Sequence, residues 1–175
     1  MEDIKVVQAQ IADLNIIKTL LFKTAKWLNN KGSTQWAGLL KGEDVHNIEE
    51  AIKRKEVYLV YNSSSLIGTF ALWSKQTAWD EAFWGRDETN DVFYLHRLAL
   101  SEGAHGKNTG SLLLDKAKEV ARLEKKSGLR LDCVASNRYL NAFYTNNEFN
   151  QVGSIEQYDN GEDLQDYHLY FWENE

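Results

Sequence analysis

The stretch from residue 92 to residue 126 constrains the fold of this 175-residue chain more than any other part of it. Val92–Leu100 is the strongest strand pattern in the sequence. Residues 110–126 carry apolar side chains on one face of a helix, at positions 113, 117, 120 and 121. A short, glycine-bearing loop joins the two. A strand that leads through such a loop into an amphipathic helix predicts an α/β sheet with helices packed on it.

The remaining patterns extend this sheet. Apolar and β-branched runs predict strands over residues 3–8, 56–61, 66–73 and 129–135, with a hairpin turn at 62–65. The remainder of the chain suggests one or two closing strands, which include residues 168–172. Helical spacing predicts helices over residues 12–30, 44–54 and 137–147, with Val45 in the apolar stripe of the second. Residues 75–91 are predicted to form a long irregular loop. Because the first strands form a hairpin and the later ones alternate with helices, we expect a mixed α/β sheet.

Length and composition favour a single domain over residues 1–175. A hydrophobic share of 43% is typical of a chain with a packed core. The one cysteine, Cys133, cannot form an internal disulfide and excludes a cysteine-rich zinc site, and no metal is expected. No apolar run approaches the roughly 18 residues of a membrane helix, and the N-terminus lacks a signal-peptide pattern. We therefore expect a cytoplasmic protein with no membrane partner.

The net charge of −6 is unevenly distributed along the chain. Residues 139–175 hold eight acids and no Lys or Arg, which leaves a charge of +2 for residues 1–138. A nucleic-acid-binding protein normally shows a basic face, and this pattern has none, so no nucleic-acid partner is expected. A small phosphorylated ligand is compatible with the near-neutral part of the chain.

The loop after the central strand is the segment that points to chemistry. Gly103, Gly106 and Gly110 permit positive φ and a close approach of backbone to a ligand. The first turn of the following helix offers unpaired N–H groups, which suit a phosphate. The alternative is that these glycines only make a tight strand-to-helix connection. The glycine spacings of a P-loop and of a Rossmann fingerprint are both absent.

This loop resembles the phosphate-binding signature of the GNAT N-acetyltransferase superfamily, Arg/Gln-x-x-Gly-x-Gly/Ala. The matching stretch is His105-Gly106-Lys107-Asn108-Thr109-Gly110. It departs from the usual pattern at His105, where Arg or Gln is common, and at Asn108, where a central glycine is common. Since asparagine tolerates left-handed backbone better than most residues, we expect the loop to form with Asn108. The change at His105 affects a side-chain contact to the ligand and does not alter the backbone N–H groups that would surround the phosphate.

A second, independent stretch resembles the same family. Residues 137–144, Asn-Arg-Tyr-Leu-Asn-Ala-Phe-Tyr, are similar to its Asn-x-x-Ala-x-x-Phe-Tyr-type helix. Residues 94–100 are similar to its central strand, and the N-terminal helices and hairpin fit the same fold. The resemblance thus covers essentially the whole chain. It implies a mixed, mostly antiparallel sheet flanked by helices, in which two neighbouring parallel strands splay apart to admit acetyl-CoA.

The resemblance also implies which residues bind this cosubstrate. Backbone groups of Leu98, Ala99 and Leu100 would pair with the pantetheine arm, as an added strand pairs with a sheet edge. The pyrophosphate would lie on the loop and the first helical turn, at His105, Gly106, Lys107, Asn108, Thr109, Gly110 and Ser111. Asn137 would hydrogen-bond the pantetheine, and Tyr144 would lie near the thioester sulfur.

Tyr144 and His96 are the candidate catalytic residues. Tyr144 would donate to the leaving thiolate, and because a phenol has a pKa about 1.5 units above that of a thiol, full proton transfer is uphill by roughly 2 kcal/mol. A strong hydrogen bond to the sulfur is the alternative. A histidine side chain is suited to accept a proton near neutral pH, and His96 lies, by strand alternation, on the face of Tyr94 and Leu98. The competing interpretations are a core aromatic at 144, a structural histidine at 96, and an ordered water or a carboxylate as base. Cys133 is expected to be a small buried residue.

The family resemblance places acceptor selection in the first two helices and in residues 75–91. These regions combine tryptophans and acids, namely Trp27, Trp36, Trp79, Trp84, Asp80, Glu81, Asp87 and Glu88. Such pairs favour a cationic amine; the alternative is that the tryptophans fill the core or a homodimer interface. We expect transfer of the acetyl group of acetyl-CoA to a primary amine of a small molecule or peptide. The competing class is a non-catalytic CoA-binding or regulatory module with the same fold.

Overall fold

The computed structural model describes residues 3–44 and 46–175. The strands of these residues are β1 (Ile4–Gln8), β2 (Val57–Asn62), β3 (Ser65–Trp73), β4 (Val92–Leu100), β5 (Gly128–Val134), β6 (Asn150–Asp159) and β7 (Leu164–Glu173). The helices are α1 (Leu14–Asn30), α2 (Ala37–Leu40), α3 (Ile48–Lys53), α4 (Ala78–Trp84), α5 (Thr109–Leu123) and α6 (Arg138–Asn146), and a 3₁₀ turn at Ile11–Asp13 precedes α1.

The seven strands form one mixed sheet in the order β1-β2-β3-β4-β5-β7-β6. The β1–β2, β2–β3, β5–β7 and β6–β7 pairs are antiparallel, and β4 and β5 are parallel. The parallel ladder joins residues 92–94 to residues 128–130, at the start of both strands. The predicted mixed, mostly antiparallel sheet with helices and a parallel strand pair is confirmed.

The chain divides into two compact units, and it passes from one to the other within β3, β4 and α5. The first unit comprises Met1–Ala71 and Arg97–Leu113. Here α1 contacts α2 and α3 and buries Ile17, Leu21 and Ala25 on its apolar face, as the helical spacing predicts. The single domain expected from chain length stays a prediction.

The second unit comprises Leu72–His96 and Leu114–Glu175. Its β7 lies between β5 and β6, and the buried side chains of Leu129, Tyr170 and Trp172 belong to its core. A Cβ atom at Gly128 would clash with the Trp172 carbonyl and the Phe171 ring. Glycine at the start of β5 is therefore required by the close approach of β7.

The second predicted helix is shorter than expected, because its first residues cap it instead of joining it. The Ile48 N–H donates to Asp44 Oδ2 at 2.7 Å, and the Glu50 N–H donates to Asn47 Oδ1 at 3.3 Å. These side chains satisfy N–H groups that precede the first intrahelical bonds, so α3 begins at Ile48. Val45, which we placed in its apolar stripe, lies outside the described residues.

The prediction of an irregular loop over residues 75–91 is wrong, since the segment contains α4. A capping box starts this helix: the Asp80 N–H donates to Thr77 Oγ1, and the Thr77 N–H donates to Asp80 Oδ2. Of the one or two closing strands predicted, the structure has two, β6 and β7, and β7 contains residues 168–172. Among the described residues, no helix combines the length and the apolar character needed to cross a membrane.

Candidate functional site

The loop between β4 and α5, in the first unit, contains three left-handed residues. The φ values are +83° at Gly103, +78° at Gly106 and +56° at Asn108. A Cβ atom at Gly103 or Gly106 would meet nothing within 4 Å, so backbone conformation and not crowding calls for glycine there. The expectation that Asn108 adopts the left-handed conformation in place of a glycine is confirmed.

The first turn of α5 presents the N–H groups expected of a phosphate site. The first intrahelical bond runs from the Leu112 N–H to the Asn108 carbonyl at 3.1 Å. The N–H groups of Thr109, Gly110 and Ser111 come before that bond, where a helix has no acceptor of its own to offer them. These donors, with the positive end of the helix dipole, can hold a pyrophosphate without any basic side chain.

A close backbone contact holds this helical turn in place. A Cβ atom at Gly68 of β3 would clash with the Leu113 side chain and come within 2.7 Å of the Ala99 carbonyl. The Ser101 N–H also donates to the Ile67 carbonyl at 2.9 Å, at the point where β4 ends. Gly68 thus lets α5 approach the sheet directly behind the loop.

The backbone of β4 is interrupted at Arg97, whose φ is +54°. Regular alternation therefore does not continue from His96 to Leu98, and the argument that placed these two residues on one face does not hold. Leu98 and Leu100 are half-buried and Ala99 is buried.

In the second unit, His96 is paired with a buried carboxylate. His96 Nε2 lies 2.7 Å from Oδ1 of Asp80, and the Asp80 side chain is only 1% exposed. Burial acts to raise the pKa of Asp80, but the hydrogen bond and charge of His96, with hydrogen bonds from Thr77, hold that pKa below its ordinary value. Since an ionised carboxylate only accepts, the Nε2–H of His96 is the donor and Nδ1 is the basic atom of the ring.

A second carboxylate, Asp132 of β5, belongs to the same cluster. Its Oδ2 accepts a hydrogen bond of 3.1 Å from Trp79 Nε1. Burial raises the pKa of Asp132 to about 6, and the charge of His96 opposes that rise. The Trp73 ring lies edge-on to the His96 ring at 4.6 Å. An imidazole, two carboxylates and two indoles are thus brought together from β3, α4, β4 and β5.

Tyr144 lies on α6 in the core of the second unit. Its side chain is 9% exposed and contacts the rings of Phe149 and Tyr170. Burial raises the pKa of Tyr144, and Cys133 and Asp132 add to the rise, so the phenol is neutral at physiological pH and remains a donor. Burial also raises the pKa of Cys133 to about 12. Cys133 is buried, as predicted.

Comparison with known proteins identifies the family of this chain. The sequence profile of the acetyltransferase (GNAT) family matches residues 21–149. The chain belongs to the GNAT family. It is 35% identical over 158 residues to the uncharacterized N-acetyltransferase YesJ of Bacillus subtilis, which covers 90% of this chain and 83% of YesJ. It is therefore an acetyl-CoA-dependent acetyltransferase.

Solved structures of GNAT proteins share the fold over nearly the full length. A GNAT acetyltransferase from Listeria monocytogenes is 32% identical with a TM-score of 0.79, over 98% of this chain and 95% of that one. YncA of Salmonella typhimurium, solved with its cofactor acetyl-CoA, is 12% identical with a TM-score of 0.71, over 97% of this chain and 93% of that one.

In this GNAT protein, α6 is fixed at its start by two asparagines. Asn137 Oδ1 accepts from the Leu140 N–H at 3.0 Å and caps the helix. Asn141 Nδ2 donates to the Val134 carbonyl at the end of β5, and Asn141 Oδ1 lies 2.7 Å from His168 Nδ1. Asn137 therefore has its amide Nδ2 to offer a ligand, while Asn141 joins the helix to its sheet.

The tryptophans singled out in the sequence have partners within the chain. Trp36 carries the Arg97 guanidinium over its ring at 5.1 Å, and Trp84 carries that of Arg130 at 5.0 Å. Trp79 packs on Phe83 in an aromatic cluster. Trp27 is 48% exposed and packs against His105, with a tilted ring and 5.2 Å between the ring centres; His105 is the residue that departs from the family signature.

The acids of the same regions are also largely engaged. Asp87 accepts from Arg130, Glu88 pairs with Arg86, and Asp80 is the partner of His96. Sequence reasoning counted Asp80 among acids that could attract an amine and found no carboxylate that could serve in catalysis. The Thr77-x-x-Asp80 capping pattern could have located Asp80 at a helix start, but no local signal pairs Asp80 with His96.

Proposed function

We propose that the protein transfers the acetyl group of acetyl-CoA to a primary amine of a small molecule or peptide. The observation that carries the proposal is the buried pair of His96 and Asp80. A primary amine has a pKa of about 8 at a peptide N-terminus and about 10.4 in a lysine side chain, so it is mostly protonated at neutral pH and must lose a proton before it can attack a thioester. A histidine held by a carboxylate is suited to take that proton.

The roles within the pair follow from its geometry. Asp80 accepts from Nε2–H and fixes the tautomer. In that tautomer Nδ1 carries the basic lone pair of the ring, and this atom would receive the amine proton directly or through water. The charge of Asp80 then stabilises the imidazolium. Acetyl-CoA supplies the activated acetyl group: a C–N bond forms to the amine as the C–S bond to the CoA thiolate breaks.

The glycine loop is proposed to bind the pyrophosphate of acetyl-CoA. Its left-handed residues and the N–H groups at the start of α5 fit an anion, and the open space at Gly106 leaves room for one. His105 and Lys107 belong to this loop, although the His105 ring packs against Trp27. Leu98, Ala99 and Leu100 are proposed to pair with the pantetheine through their backbone, as the family resemblance implies.

Asn137 and Tyr144 are proposed to act at the other parts of the cosubstrate. Asn137 would donate to the pantetheine through Nδ2, since its Oδ1 already caps α6. Tyr144 would donate to the departing thiolate. Its raised pKa supports a strong hydrogen bond over complete proton transfer, because a less acidic phenol makes that transfer more uphill.

Binding of acetyl-CoA is the first test. At a hundredfold excess over Kd, acetyl-CoA should stabilise the folded protein by about 2.7 kcal/mol, which a thermal shift detects. The absence of any shift at millimolar acetyl-CoA would contradict the binding roles given above. Pantetheine alone should give a smaller thermal shift than acetyl-CoA, because it lacks the pyrophosphate.

Thiol release across a panel of amines then tests the reaction. We expect release with at least one class among amino acids, peptides, polyamines and aminoglycosides, and its loss in a His96→Gln variant. Binding of acetyl-CoA without release for any amine would instead favour the non-catalytic module. The cytoplasmic location and the homodimer stay predictions, and native mass spectrometry tests the second.

A further inference from the structure

Arg97 is a buried cation, and part of its hydrogen-bonding capacity is unused. Its residue is 7% exposed, and among the described residues Nη1 has no hydrogen-bond partner. A guanidinium has five N–H donors, and burying a charged group without partners costs several kcal/mol. Arg97 also lies in the first unit at the left-handed interruption of β4. Packing alone gives no reason for an arginine here.

Trp36 covers only part of this side chain. The Arg97 guanidinium carbon lies 5.1 Å from the centre of the Trp36 ring, a cation–π contact. Such a contact occupies the flat face of the guanidinium, whereas its N–H donors radiate in the plane from the edge. Trp36 therefore orients the guanidinium and leaves the donors for a group that approaches edge-on.

The neighbouring acid does not fill this role. Asp44 forms no ion pair with Arg97 and acts on it only through space; its Oδ2 accepts from the Ile48 N–H at the start of α3. Burial lowers the pKa of Arg97 to about 10, and the charge of Asp44 opposes the decrease. Arg97 is thus still a cation at neutral pH, with a carboxylate nearby but not bound.

We propose that Arg97 and Trp36 form a binding site for a carboxylate group carried by the amine acceptor. A carboxylate matches the planar fork of a guanidinium and satisfies two donors at once. The inference rests on the proposed function and narrows its substrate class. The acceptors are then amino acids, or peptides with a free carboxylate near the reacting amine, rather than polyamines.

The position of Arg97 on β4 distinguishes this carboxylate from the phosphates of acetyl-CoA. Leu98–Leu100 follow Arg97 and are the residues proposed to pair with pantetheine, and the pyrophosphate loop comes after them. An extended chain rises about 3.3 Å per residue, so Arg97 lies about 10 Å before Leu100, at the end away from the loop. A single guanidinium with an acid nearby also suits a monoanion better than a phosphate dianion.

Matched acceptors provide the first test. Thiol release is measured with L-amino acids and dipeptides, each against its C-terminal amide, which keeps the amine and removes the carboxylate charge. We expect kcat/KM to be about 10- to 100-fold higher for the acids, the effect of one hydrogen-bonded charge pair. The dipeptide arm shows whether the carboxylate must adjoin the reacting amine. Equal rates for acid and amide would overturn the inference.

Two variants of Arg97 assign the effect to this residue. Arg97→Met should abolish the preference for acids over amides, and Arg97→Lys should keep part of it, since it retains charge without the fork. Arg86→Gln is the matched control, because Arg86 is an exposed arginine paired with Glu88. It should keep the wild-type preference. A preference that survives in Arg97→Met contradicts the proposal.

Stability separates a binding role from a structural one. Removing an unpaired buried charge relieves its desolvation cost, so Arg97→Met should melt at the same temperature as the wild type or higher. A large decrease with unchanged acceptor preference would make Arg97 a structural residue.

A binding measurement keeps this inference separate from the proposed function. N-acetyl-L-amino acids, the expected products, should shift the melting temperature of the wild type but not of Arg97→Met, and their amides should shift neither. This measurement does not depend on catalysis. If no amine supports thiol release, the proposed function is contradicted, but the shift by N-acetyl-amino acids still tests the carboxylate site. No shift by any N-acetyl-amino acid would defeat the carboxylate site.

Discussion

Nε2 of His96 donates to Oδ1 of Asp80 over 2.7 Å, and the carboxylate is almost completely buried. The two residues are 16 positions apart, on β4 and on α4. Because Asp80 also closes the capping box of α4, its orientation is fixed before any ligand binds. The imidazole is thereby held in one tautomer, which is the arrangement required of a general base.

Loss of the base should reduce catalysis strongly at neutral pH. We expect His96→Gln to lower kcat/KM by about 10²- to 10⁴-fold, the usual contribution of general-base catalysis, and Asp80→Asn to lower it less. The double variant, His96→Gln with Asp80→Asn, should have a kcat/KM only slightly below that of His96→Gln, since Asp80 acts through His96. The loss should shrink toward pH 9, where more of the amine is already deprotonated. Initial rates of thiol release at pH 7 and pH 9 measure both effects.

Asp87→Asn is the matched control for Asp80→Asn. Asp87 follows α4 in the same segment and is held by Arg130, with no contact to His96. This variant should retain near-wild-type kcat/KM with the same pH dependence. If Asp87→Asn and Asp80→Asn reduce activity equally, the effect comes from disturbing the segment, and the assignment of Asp80 is wrong.

Replacement of Tyr144 by phenylalanine should separate turnover from binding. The hydroxyl is proposed to donate to the departing thiolate, and a hydrogen bond to a charged group is worth about 1.5–3 kcal/mol, or about 10- to 100-fold in kcat. The Kd of acetyl-CoA should change little. Tyr139→Phe is the control, since Tyr139 is on the same helix and 77% exposed. Unchanged turnover in Tyr144→Phe would leave Tyr144 as a core aromatic.

The raised pKa of Asp132 predicts a pH-dependent stability. Burial raises this pKa to about 6 from an ordinary value of 3.8, so the native protein holds the proton more tightly than the unfolded chain. Wild-type stability should then fall as pH rises through this interval, by up to about 3 kcal/mol from this group alone. An asparagine side chain does not titrate, so the Asp132→Asn variant lacks this pH dependence. Its free energy of unfolding relative to wild type should therefore increase from pH 4 to pH 7.

Urea unfolding at pH 4, 5, 6 and 7 measures this difference. Asp115→Asn is the control, because Asp115 is exposed on α5. Its difference from wild type should stay near zero at every pH. A difference for Asp132→Asn that does not change with pH would show that Asp132 titrates normally in the folded protein.

Local features of this fold could be predicted from the sequence because a few neighbouring residues decide them. The left-handed conformation of Asn108 follows from its residue type in a glycine loop, and the hairpin at 62–65 follows from its polar run. The capping box of α4 is equally local. The helix that it starts is harder to predict, because tryptophans and charges obscure the helical periodicity of residues 75–91.

The chemistry of the site depends on pairs that no local pattern reveals. Trp79 and Asp132 are 53 positions apart, and their contact exists only because α4 packs beside β5. The same holds for Trp36 and Arg97, whose cation–π contact joins the residue before α2 to β4. A sequence shows that such residues are present, but the path of the chain decides which of them become partners.

Substitution of Gly68 should disturb the pyrophosphate loop from behind. In Gly68→Ala the new methyl group would meet the Leu113 side chain and the Ala99 carbonyl, so α5 must move outward. We expect a loss of stability of about 1–3 kcal/mol and a higher Kd for acetyl-CoA, because the first turn of α5 shifts with Leu113. Gly38→Ala in α2 is the control: its methyl group has ordinary contacts of 3.5 Å or more, so stability should hold or rise slightly. Titration calorimetry measures the Kd of acetyl-CoA. An unchanged Kd in a destabilised Gly68→Ala variant would show that binding at the loop does not depend on the close contact at Gly68.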